Sequence, residues 1–127
     1  MKIHSKLYIG GEWVDPLNPS IFEVVNPLTE TVCATVAGGG EDDVARAVAA
    51  ARGAFKEFSH STVEDRRAML ERIAAGIKAR ADEFSEAISM EMGAPTWWSS
   101  RAQVPAGIAH YSTAAKVLES FEFQKIQ

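Results

Sequence analysis

Gly38-Gly39-Gly40-Glu41-Asp42-Asp43-Val44 decides how this chain is read, because it divides two textures of sequence. Three glycines close an extended stretch rich in valine and threonine. Three acids then stand where the first turn of a helix favours negative charge. Beyond them Val44, Val48, Ala51, Phe55 and Phe58 recur at spacings of four, three, four and three. That period predicts a helix with one buried apolar stripe.

Upstream of the glycines the pattern is that of strands. Leu7-Tyr8-Ile9 and Glu12-Trp13-Val14 flank Gly10-Gly11, a pair suited to the positive-φ turn that matches strand twist. Phe22 to Val25 and Val32 to Val36 read as a second extended pair around Asn26-Pro27-Leu28-Thr29-Glu30. Alternation places Val32, Ala34 and Val36 on one face and Thr31, Cys33 and Thr35 on the other.

Downstream the pattern is helical. Ser61-Thr62 with Glu64-Asp65 three positions on has the form of a capping box, and Leu70, Ile73, Ala74 and Ile77 supply an apolar face. Phe84, Ile88 and Met92 continue a similar stripe to Gly93-Ala94-Pro95, a helix stop; residues 63–92 fit one helix or two meeting near Asp82. Thr96 is a candidate cap for a last helix over about 98–120, disturbed at Pro105, with Val104, Ile108, Tyr111, Ala115 and Leu118 on one face. The expected fold class is α+β: two small β hairpins in residues 1–40, then three or four helices in residues 41–127.

The chain has 127 residues, enough for one domain, and an apolar share of 46%. Alanine accounts for 20 of its residues, whereas Val, Ile, Leu and Phe together number 29, so the core is lean and its helices pack closely. A net charge of −4, without any cluster of basic residues, excludes an electrostatic footprint for nucleic acid. The longest stretch free of Asp, Glu, Lys and Arg, from Ala102 to Ala115, is too short and too polar to span a bilayer. Gly10, Gly11 and Glu12 interrupt any signal-peptide core. The single cysteine, Cys33, rules out an internal disulfide framework or a Cys-cluster metal site. These features predict a soluble, cytoplasmic protein.

Candidate chemistry is sparse. Gly38, Gly40 and Asp43 occupy the positions where a dinucleotide fingerprint needs three glycines, and the carboxylate at the third would repel a pyrophosphate. The glycines therefore read as a flexible connector. Cys33 lies mid-strand, far in sequence from any basic residue that would favour its thiolate, and reads as a half-buried structural cysteine. His4, His60 and His110 lack a second histidine at metal-sharing spacing. Glu57, Glu64, Asp65, Glu83, Glu86 and Glu91 are spread along amphipathic helices without forming an acid–base couple. Trp97-Trp98 reads either as a contact patch for a partner or as one core anchor beside a partly covered neighbour. No residue is assigned a catalytic or cofactor-binding role.

Taken in order, several segments resemble the opening of an aldehyde dehydrogenase. They are Tyr8-Ile9-Gly10-Gly11-Glu12-Trp13-Val14, Val25-Asn26-Pro27-Leu28-Thr29-Glu30-Thr31-Val32 and Glu41-Asp42-Asp43-Val44-Ala45-Arg46-Ala47-Val48, followed by Arg66-Arg67-Ala68-Met69-Leu70 and Met90-Glu91-Met92-Gly93-Ala94-Pro95. The resemblance implies the first part of the α/β, Rossmann-like coenzyme-binding domain of an NAD(P)-dependent oxidoreductase. In that family a cysteine thiolate attacks the aldehyde, hydride passes to NAD or NADP, and a glutamate-activated water releases the acid. None of those residues maps onto this chain, and Cys33 does not match the nucleophile's motif. The resemblance further implies a monovalent cation site formed by the carbonyls of Val24 and Val25 with the carboxylate of Glu91, where the family commonly has Asp.

The chain is thus expected to be an N-terminal piece of an aldehyde dehydrogenase, inactive by itself and binding no cofactor alone. Its partner would be the remainder of such a chain, in a family of homo-oligomers. The alternative is a stand-alone helical interaction or assembly module, supported by the apolar stripes and Trp97-Trp98. A small cofactor-binding protein in its own right is disfavoured by the failed glycine fingerprint.

Overall fold

A computed structural model describes residues 2–123. It divides into two compact units, one built from residues 2–60 with Met90–Gly93 and the other from residues 61–89 with 94–123.

The first unit contains five short strands and one long helix. Strands β2 (Leu7–Ile9) and β3 (Glu12–Val14) form the expected antiparallel hairpin, with Tyr8 opposite Trp13. Gly10 and Gly11 both take positive φ, 64° and 89°, which a side chain would resist. The rings of Tyr8 and Trp13 meet across the strands at 5.1 Å.

Strands β4 (Ser20–Asn26) and β5 (Thr31–Gly38) pair antiparallel around a turn in which the Leu28 amide donates to the Asn26 side-chain oxygen at 2.8 Å. Two features depart from the sequence reading. First, β1 (Lys2–His4) adds to β5 in parallel, making a three-stranded sheet of order β1-β5-β4 rather than a bare hairpin. Three residues are too few to show an alternation. Second, the register slips between Val24 and Val25: Val24 faces Ala34 while Val25 faces Val32. Cys33 is the extra residue of a bulge, so the strict alternation expected along Val32–Val36 is broken there.

Gly38 is also no loose connector. It ends β5 opposite Ser20, and a Cβ on it would stand 2.6 Å from the Phe22 ring. The chain leaves through Gly39 and Gly40 into α1 (Glu41–Phe58). The β2–β3 hairpin lies against the alanine side of this helix, in a shallow groove lined by Tyr8, Gly10, Ala47, Ala50 and Ala54. A Cβ on Gly10 would come within 3.7 Å of the Ala50 methyl.

The expected burial of the α1 stripe is not observed: Val44, Val48, Ala51, Phe55 and Phe58 are all exposed. The reason is geometric. Ala51 alone of the stripe lines the groove beside the hairpin, together with Ala47, Ala50 and Ala54, whereas Val44, Val48, Phe55 and Phe58 do not line it.

In the second unit α2 (Val63–Ala79) packs along α5 (Val104–Val117), and Ala74, Val104 and Ala115 are buried. The capping box is present. The Asp65 amide donates to Thr62 Oγ1 at 3.1 Å and the Thr62 amide to Asp65 Oδ2 at 3.0 Å. Helix α2 ends at Ala79, Arg80 leaves helical geometry (φ −117°, ψ 26°), and α3 follows at Ala81–Met92. Two helices therefore occupy the stretch where one or two were possible. Gly93, at φ 69°, stops α3 as expected.

The last helical stretch begins earlier than expected. Pro95, not Thr96, stands at its N-cap, and α4 (Thr96–Trp98) runs through a π-turn at Ser99–Gln103 into α5. Pro105 accounts for the widening: it has no amide to donate, and its ring would strike the carbonyl four residues back in a regular helix. Ser99, fully buried, sits in the turn and bonds Ser89 Oγ at 3.0 Å and Gln103 Oε1 at 3.2 Å.

Candidate functional site

The start of α1 is where a nucleotide would be sought, and the structure shows what fills it. Asp43, only 2% exposed, turns its carboxylate back over the helix N-terminus. Its Oδ2 accepts the Gly40 amide at 3.2 Å, its Oδ1 accepts the Leu17 amide at 3.1 Å, and Arg46 Nη1 stands 3.4 Å from Oδ1. The anion that a helix N-terminus favours is the chain's own side chain. Asp42 meanwhile accepts from the Asn18 side-chain amide at 3.3 Å. Together the two acids fasten the loop after β3 onto α1.

Cys33 is half-buried, as expected, and its thiol donates to the Val24 carbonyl at 3.2 Å. The histidines remain separate. His4 is exposed on β1, His110 is exposed on α5, and His60 Nδ1 lies 2.9 Å from the Lys56 carbonyl. Among the described residues no group of three His, Cys, Asp or Glu is arranged to hold a metal ion.

The carboxylates of α2 and α3 work locally. Arg67 bridges Glu64 at 2.8 Å and Glu71 at 2.6 Å, and Arg80 pairs with Glu83 at 2.8 Å. The Arg67 hydrogen bond and charge hold Glu64 below its ordinary carboxylate range, and the hydroxyl and amide of Thr62 do the same for Asp65. These are helix-surface arrangements, not an acid–base couple.

Val24 and Val25 lie at the β4–β5 bulge, with Val24 half-buried and Val25 exposed; Glu91 is exposed in the last turn of α3. The same unit brings Gly93 against the Asn26-Pro27 turn that follows them, close enough that a Cβ on Gly93 would stand 2.9 Å from Pro27 Cγ. Trp97 and Trp98 form an edge-to-face pair at 5.5 Å, and both are exposed, so neither serves as a core anchor.

One cavity escaped the sequence reading. About 330 Å³ opens beside the three-stranded sheet, lined by Ile3, Pro16, Pro19, Ile21 and Val36, with His4 and Asp15 also contributing. It depends on β1, which no local pattern announced. Its walls are mostly apolar, with the hydroxyls of Ser5, Ser20 and Thr35 also on the lining.

Comparison with known proteins supplies what the site does not. Residues 13–127 match the model of the Aldehyde dehydrogenase family. A putative aldehyde dehydrogenase of Staphylococcus haemolyticus is 39% identical over 125 residues, covering 98% of this chain and 26% of that protein. One from Staphylococcus epidermidis is 40% identical with the same coverage. Among solved structures, an aldehyde dehydrogenase from Bartonella henselae superposes with a TM-score of 0.94 at 34% identity, over 98% of this chain and 26% of that one. Aldehyde dehydrogenase C from Pseudomonas syringae, solved with NAD+ and octanal, gives 0.93 at 43% identity, over 97% and 25%. The chain thus spans about a quarter of the length of the relatives it matches.

Proposed function

Because this chain belongs to the aldehyde dehydrogenase family and corresponds to its N-terminal segment, we propose that it serves as one part of an NAD(P)-dependent enzyme oxidising an aldehyde to a carboxylic acid. Segments 1–40 and 41–127 together supply a partial coenzyme-binding domain. The nucleophile, the general base and the dinucleotide loop come from the rest of a family-length chain. The enzyme would work in the cytoplasm as a homo-oligomer, without a nucleic-acid or membrane partner.

The observation that carries this reading is the combination of family-wide likeness with a helix N-terminus closed by Asp43. A piece of a coenzyme domain that leaves nucleotide binding to another segment has no use for an open anion site. The same reading includes a monovalent cation held by the main-chain carbonyls of Val24 and Val25 and the Glu91 carboxylate. Its support is the bulge at Val24/Val25 and the approach of Gly93 to Pro27. An all-oxygen donor set suits such an ion, and this cation would brace the domain without entering the chemistry.

The test is a graft in which this chain replaces the matching quarter of the Staphylococcus haemolyticus relative. The hybrid is expected to form reduced nicotinamide from aldehyde and NAD+ or NADP+, with potassium or sodium raising its thermal midpoint and Glu91→Gln removing that rise. A folded hybrid that oxidises no aldehyde, beside an active unaltered relative, overturns the reading. Cation-independent melting overturns the cation site alone.

A further inference from the structure

We infer that the cavity beside the three-stranded sheet is a binding site for a small organic cation, an amine with a compact apolar body such as an arylalkyl group. The site lies within the first unit and takes no part in aldehyde oxidation, so its test is independent of the catalytic reading.

Size limits the ligand. About 330 Å³ stands at the lower end of small-molecule sites and is roughly twice the ~150 Å³ that holds one benzene. One ring with a short tail fits that space, and a peptide segment does not. Ile3, Pro16, Ile21 and Val36 offer such a body an apolar bed.

One wall of the cavity is pre-formed. The loop between β3 and β4 is tied to α1 at two points: the Leu17 amide donates to Asp43 Oδ1 at 3.1 Å, and the Asn18 side-chain amide donates to Asp42 at 3.3 Å. Pro16 and Pro19, both on the lining, fix their own backbone φ. A site that exists before its ligand arrives spends little on ordering.

Charge selects the cation. Asp15 is the one carboxylate on the lining, which includes no lysine or arginine. Asp42 and Asp43 are bonded within the protein, whereas among the described residues Asp15 has neither an ion pair nor a hydrogen bond. Its carboxylate is therefore available to an ammonium group, and the Thr35 hydroxyl and an unprotonated His4 ring nitrogen add acceptors on the same lining. An anionic ligand would meet Asp15 without a compensating lysine or arginine, on a chain of net charge −4.

The experiment titrates phenethylammonium into the isotope-labelled full chain and follows its backbone amides by NMR, with phenethyl alcohol and hydrocinnamate as neutral and anionic probes of similar size. Saturable shifts are expected at Ile3, Ile21 and Val36, with a Kd of about 1 mM for the ammonium. The alcohol and the carboxylate should bind about fivefold more weakly or worse. Asp15→Asn should weaken the ammonium about fivefold and leave the alcohol unchanged. Ile21→Trp, which fills the cavity, should abolish binding of both, and Glu12→Gln, which removes a β3 carboxylate that is not on the lining, should change neither. Circular dichroism melting of each variant separates lost binding from lost fold. Absence of saturable shifts, shifts centred away from the cavity, equal affinity for the three probes, or ammonium binding indifferent to Asp15→Asn would each overturn the inference.

Discussion

At the scale of single residues, Asp43 matters most. Sequence identifies it as one of three acids suited to a helix start; its neighbours Glu41 and Asp42 look equivalent. The structure separates them, because only Asp43 is buried and only Asp43 reaches the Leu17 amide, 26 positions away. That distinction is non-local and has no signature in the helix's own periodicity. Replacing Asp43 with Ala strands the amides of Gly40 and Leu17 and is expected to cost about 3 kcal/mol in urea unfolding. Asp42→Ala, at an exposed bond, should cost under about 0.5 kcal/mol. Equal effects from the two would contradict the role given to Asp43. Val24, Val25 and Glu91 show the opposite limit: resemblance alone nominated them, since two backbone carbonyls have no residue-type signature.

At the scale of elements, local chemistry was legible wherever one turn of chain carries the signal. Gly10-Gly11 makes its hairpin, Thr62 caps α2, and Gly93 stops α3. What could not be read depends on partners. The Cys33 bulge is a property of two strands, and β1 gains its identity only by pairing with β5. The α1 stripe was legible as a stripe but not as exposed, because periodicity says which side is apolar and not what covers it. The α2 cap also yields a pH prediction. Hydrogen bonds from the Thr62 hydroxyl and amide lower the Asp65 pKa beneath its ordinary 3.8. A depressed folded-state value means the stabilisation is present above the unfolded value and fades as pH falls through the folded one. The melting-temperature gap between the parent chain and Asp65→Asn should therefore be open at neutral pH and close in acid below pH 3.8. A gap of constant width would show that the carboxylate charge is not what secures the cap.

At the scale of the whole molecule, the lean composition has a structural counterpart. Among the described residues the buried apolar side chains are Ala34, Ala74, Val104 and Ala115, while Trp13, Phe22, Phe55, Phe84 and Trp97 lie exposed. Apolar surface of that extent, left open by a chain spanning a quarter of its relatives' length, suits a part of a larger body better than a finished enzyme. Among the described residues no helix is long and apolar enough to cross a membrane. The family was legible in the sequence because its landmarks are short, ordered segments; the chemistry was not, because those segments assign no catalytic role to any residue. The most direct test of that account is an assay of the purified 127-residue chain with aldehyde and NAD+ or NADP+. It predicts no aldehyde-dependent formation of reduced nicotinamide. Turnover that follows the chain through successive purification steps would contradict it.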